Sequence, residues 1–98
     1  MSNWYNEEIK TLFEAILTLQ TPEECLMFFE DICTVKEIKE MAQRLKVATM
    51  LREKISYSSI NAATGVSTAT ISRVSRCLDY GSGGYELALE RMKEGGGQ

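Results

Sequence analysis

Apolar residues recur along most of this chain at intervals of three and four, the spacing of one face of a helix. From Asn3 to Gln20 the series is Ile9, Leu12, Phe13, Ile16 and Leu17, with Trp4 and Tyr5 ahead of it. Thr21-Pro22-Glu23-Glu24 then joins a capping hydroxyl, a proline suited to the first helical position and a glutamate three residues after the hydroxyl. It predicts a short second helix through Cys25, Leu26, Phe28, Phe29 and Ile32. Thr34-Val35-Lys36-Glu37 repeats the capping box. It starts a third helix that runs to about Lys54 with Ile38, Met41, Leu45, Ala48 and Leu51 inward.

Beyond Lys54 the pattern shortens. Ser56 caps a fourth helix, Tyr57 to Thr64, and Gly65 sits where a helix ends on a residue that tolerates positive φ. Ser67 caps a fifth helix from Thr68 to about Leu78. Asp79 to Gly84 reads as a loop, and Tyr85 to Lys93 as a last amphipathic helix carrying Leu87, Leu89 and Met92. No strand pattern of useful length and no internal repeat occurs. The expectation is an all-α chain of about six helices, one domain over residues 1–94 with a flexible tail at 95–98.

The net charge of −3 argues against a nucleic-acid partner only as an average. From Met41 to Leu78 the chain carries six basic residues, Arg44, Lys46, Arg52, Lys54, Arg73 and Arg76, against one acid, Glu53. That segment is net +5 and the remainder net −8. Such segregation fits one polyanion-binding face on an acidic body. From Ser56 to Ser72 there is no charged residue at all, yet the stretch is too polar for a core.

Winding residues 68–78 at about 100° per residue puts Ile71, Val74 and Leu78 on one side and Ala69, Ser72, Arg73 and Arg76 on the other. The outward face is small near its start and basic later. Small residues let a helix approach a groove floor, and alanine or threonine methyls can touch thymine methyls while serine bonds a base edge. Arginines, with Lys54 before the fourth helix, suit phosphates or guanines. A short helix, a glycine turn and a second helix of this kind form a helix-turn-helix, whose second helix enters the major groove.

The run "GVSTATISRVSRCL" (65–78) resembles the reading helix of the Trp repressor superfamily, and within it the YerC/YecD group of helix-turn-helix proteins. The resemblance extends back through "MAQRLKVATMLREKISYSSI" and covers most of Thr34 to Leu78. It implies an intertwined homodimer presenting two reading heads to double-stranded operator DNA. It also implies base contacts from Thr68, Ala69 and Ser72, and backbone or flanking contacts from Tyr57, Ser58 and Asn61. Two positions depart from many such motifs: Asn61 stands where a small residue is usual, and Thr64 where an aliphatic one is.

In the family's namesake an indole lies between two arginines, with a glycine just after the second. Arg73 matches the second arginine, but Val74 replaces the glycine and Cys77 a ligand-contacting serine. Arg44 matches the first arginine only with a one-residue deletion; without it Gln43 takes the place. Arg44, Arg73 and Cys77 are therefore the candidate effector pocket, and L-tryptophan is not expected to be the corepressor.

Other classes fare worse. The chain has no histidine, no carboxylate pair inside its apolar pattern, and no base partner for Cys77; "GSGG" follows a helix rather than a strand, so it is no phosphate loop. An enzyme is not expected, and no cofactor or metal. Cys25, Cys33 and Cys77 lack zinc or disulfide spacing and read as reduced, buried residues of a cytoplasmic protein. No apolar run nears the ~20 residues of a bilayer span, and the N-terminus lacks a signal-peptide layout. Trp4, Phe13, Phe28 and Phe29 are more apolar bulk than a small helical chain hides alone, which points to a homodimer. The reading is a DNA-binding transcriptional regulator, taken as a repressor. The rival is a helical protein-interaction module, or a cofactor of another transcription factor, without DNA binding of its own.

Overall fold

The computed structural model describes residues 3–95. They form six helices and, among the described residues, no strand: α1 Glu7–Leu17, α2 Pro22–Ile32, α3 Val35–Arg52, α4 Tyr57–Thr64, α5 Thr68–Tyr80 and α6 Gly84–Glu94. Of the expected tail, residues 96–98 lie outside the described residues. Backbone contacts divide the chain into two compact units, Met1–Ile38 and Lys39–Gln98.

In the first unit the capping chemistry sets the helix starts. The Asn6 side chain accepts from the Ile9 N–H at 3.0 Å, so α1 begins after Asn6 and not at Asn3. Thr21 Oγ1 accepts from the Glu24 N–H, and the Glu24 carboxylate reaches past the cap to the Gln20 N–H at 2.8 Å. At α3 the box closes reciprocally. Thr34 Oγ1 accepts from the Glu37 N–H at 3.1 Å and Glu37 Oε1 accepts from the Thr34 N–H at 2.8 Å. The Thr34 backbone N–H and then its hydroxyl hold the Glu37 carboxyl below its ordinary pKa. Tyr5 stacks on Phe13 and meets Trp4 edge-on, with ring centroids 6.3 and 6.2 Å apart. Even so, no residue of α1 or α2 is buried.

The second unit holds the core: Val47, Ala48 and Met50 of α3, Ile60 of α4, Val66 between α4 and α5, Ile71 and Val74 of α5, and Leu89 of α6. Leu45, Leu51, Ile55, Leu78 and Tyr85 pack against it. The inward stripe of α3 differs from the expected one, because Val47 and Met50 are buried and Met41 is exposed. On α6 the same shift occurs. Tyr85 and Leu89, four apart, face the core, while Leu87 and Met92 are exposed.

The cysteines also correct the sequence reading: Cys25 and Cys77 are exposed and Cys33 is half-buried. A small apolar residue goes wherever a helix face carries it, and Cys77 lies on the side of α5 away from Ile71.

Candidate nucleic-acid interface

Helices α4 and α5 pack together through a turn that the sequence sets locally. Ser56 Oγ accepts from the Ser59 N–H and Ser67 Oγ from the Thr70 N–H, each at 3.2 Å, so both helices start on a serine cap. Gly65 ends α4 at φ 75°, a left-handed conformation that residues with a β-carbon rarely adopt, and its N–H returns to the Asn61 carbonyl at 2.8 Å.

The two atypical residues of the motif close this turn. Asn61 Nδ2 donates to the Val66 carbonyl at 2.8 Å. The Thr64 hydroxyl donates to the Ile60 carbonyl at 2.7 Å and accepts from the Val66 N–H at 3.1 Å. Both backbone groups of Val66 are thus bonded by side chains while its own side chain is buried. Asn61, expected to meet DNA, has one of its two side-chain amide N–H groups committed here. Thr64→Val leaves the Val66 N–H without that partner and is expected to cost about 1–2 kcal/mol; Asn61→Ala is expected to cost about 1 kcal/mol. The two share one turn, so the double variant should depart from additivity. Urea unfolding of the three variants measures this, and unchanged midpoints would refute it.

On α5 the observed faces match the wheel. Ile71 and Val74 are buried and Leu78 is half-buried. Thr68, Ala69, Ser72, Arg73 and Arg76 are all exposed, as are Lys54, Tyr57, Ser58 and Asn61. All of these expected DNA contacts therefore lie in one compact unit with solvent access. Ala69, Ser72, Arg73, Arg76 and Cys77 line a shallow concavity of about 380 Å³. Ser58 Oγ lies 3.3 Å from the capping Ser56 Oγ.

The basic cluster is smaller than its sequence count. Arg52 is held by two α6 carboxylates, Nε to Glu86 at 3.2 Å and Nη2 to Glu90 at 3.0 Å. Glutamates one turn apart on α6 meet one guanidinium at the end of α3, so Arg52 works as an internal clamp. Arg44, Lys46, Lys54, Arg73 and Arg76 make no ion pair among the described residues.

The structure does not bring the three candidate effector residues into one cavity. Arg44 lines a pocket of about 260 Å³ with Glu40, Gln43, Gly65, Val66, Ser67 and Thr70. Arg73 and Cys77 belong to the concavity on the outward face of α5. Val74 is 1% exposed and sits in the cluster that includes Val47, Ala48 and Met50 of α3, so its side chain fills the position where the resemblance led one to look for a glycine.

A serine-capped helix, a turn on a left-handed glycine and a second capped helix with a small, basic outward face define a helix-turn-helix protein. The chain matches the family described as Trp repressor protein over residues 7–93. It belongs to that family, whose fold is a regulatory DNA-binding one rather than that of an enzyme family. It is 57% identical over 88 residues to the uncharacterized protein YerC of Bacillus subtilis (strain 168), covering 90% of this chain and 85% of that protein. The crystal structure of a TrpR like protein from Eubacterium eligens ATCC 27750 superposes with a TM-score of 0.86 at 47% identity, covering 95% of this chain and 94% of that one. A second crystal structure, from Staphylococcus aureus, gives a TM-score of 0.86 at 48% identity, covering 90% and 88%.

Proposed function

We propose that this protein is a sequence-specific transcriptional regulator, acting as a repressor, which reads the major groove of operator DNA with α5. The observation that carries the reading is the outward face of α5: exposed Thr68, Ala69 and Ser72 followed by Arg73 and Arg76, neither paired with an acid among the described residues. Small residues at the start of a reading helix admit the groove floor, and the later arginines suit guanines or phosphates. Tyr57 and Ser58 on α4 are the flanking contacts. Operator DNA makes the cytoplasm its working compartment; among the described residues no helix is long and apolar enough to cross a membrane.

The working unit is a homodimer in which residues 1–94 act as one domain. Leu17 is 82% exposed, Met27 67% and Trp4 64%, with Leu26, Ile32 and Val35 also more than half exposed. So many large apolar side chains on α1 and the residues before it, α2 and the start of α3 call for a covering surface, and a second copy supplies one of the same character.

Two measurements on one sample test the reading. Light scattering at micromolar concentration should give the dimer mass, and a monomer would contradict the assignment of α1 and α2. Binding to a labelled duplex should weaken steeply between 50 and 200 mM salt, roughly a thousandfold if about six phosphates are contacted. A dimer with no DNA affinity at 50 mM salt would favour the protein-interaction reading instead.

A further inference from the structure

Among the described residues Lys54 is the one residue other than glycine with positive φ, at 66°. It closes α3 in the way a glycine usually does. The Lys54 N–H bonds the Leu51 carbonyl at 3.0 Å and the Ile55 N–H reaches back to the Met50 carbonyl at 3.1 Å. The turn itself is needed, because it delivers Ile55 to the core and Ser56 to its cap on α4.

Nothing in the turn needs a lysine. A β-carbon is disfavoured in this backbone region, and glycine adopts it freely. The Lys54 side chain is exposed and pairs with no carboxylate among the described residues. Its neighbour Arg52 is already bound to Glu86 and Glu90, so Lys54 is the available cation at the corner that leads into the helix-turn-helix. Strained residues that persist where a relaxed one would fit tend to mark functional positions.

We infer that Lys54 is a DNA phosphate anchor kept at the expense of fold stability, positioning α4 and hence α5 on the duplex. This rests on the DNA-binding reading above. The left-handed turn fixes the direction in which the lysine leaves the backbone. Its ammonium contributes affinity without regard to base sequence.

The test compares the wild-type protein with Lys54→Gly and Lys54→Gln, using a fluorescein-labelled duplex enriched from a randomised pool. Lys54→Gly should raise the thermal unfolding midpoint by a few degrees, whereas Lys54→Gln keeps the strain and should not. Both should bind roughly tenfold more weakly, with a salt slope shallower by about one per protomer. Wild-type affinity and slope in Lys54→Gln would overturn the anchor role while leaving the DNA-binding reading intact. A midpoint that does not rise in Lys54→Gly would overturn the claim that stability is given up. Failure of the wild-type protein to enrich or bind any duplex would remove the underlying reading as well.

Discussion

Ala69→Glu is expected to abolish binding to the enriched duplex, a loss of at least about a hundredfold, and to leave the fold intact. Ala69 is exposed and is the second residue of α5, two after the Ser67 cap. A carboxylate in the first turn of a helix interacts favourably with its free N–H groups, by about 0.3–1 kcal/mol, so the substitution gives α5 no reason to unfold. Against DNA its effect is the opposite. It places a negative charge and added bulk where a methyl group would meet the groove floor; one lost base contact costs about 1–3 kcal/mol, to which repulsion from the phosphates adds. Fluorescence anisotropy and thermal unfolding on the same preparation separate the two effects. Normal affinity in a folded Ala69→Glu protein means that α5 does not read DNA with this face.

Val74→Gly is expected to have the largest effect on stability. Val74 is buried in the cluster shared by α3, α4, α5 and α6. Removing its three side-chain carbons forfeits about 0.8 kcal/mol each, and a glycine inside a helix costs about 1 kcal/mol more. The sum, roughly 3 kcal/mol, is a large share of the 5–15 kcal/mol typical of a folded domain. The midpoint should fall by roughly 10 °C or more. The same burial leads to the ligand prediction that L-tryptophan does not bind the wild-type protein. Two methyl groups stand where the namesake of the family has only a hydrogen. Titration calorimetry with millimolar L-tryptophan checks it. A saturable heat lost on Arg73→Ala would show that the valine leaves the slot open.

How far the sequence carried the account depends on how local each signal is. Serine caps at Ser56 and Ser67 and the glycine at Gly65 act within three or four residues, so the helix-turn-helix was legible nearly to the residue. The outward face of α5 followed from periodicity alone. The end of α3 was misjudged by two residues because Lys54, not a glycine, makes the left-handed turn. Met41 was expected to face inward and is exposed, as are Leu87 and Met92 of the amphipathic α6. Their apolar character says that they prefer cover, but not which surface provides it. Arg52 was counted with the basic face, yet its partners Glu86 and Glu90 lie on another helix far along the chain. Asn61 and Thr64 stood out in the sequence as departures from the motif. Only their distances to the Val66 and Ile60 backbone reveal why they fit.

Whether two copies of α5 read DNA in sequence-specific fashion, as proposed, is tested most directly by selection from a randomised duplex pool. The purified protein, retained at about physiological salt, should enrich a two-fold symmetric site whose half-sites are centred about 10 base pairs, or a multiple of that, apart. A pool that emerges from repeated selection with no common sequence would contradict this reading.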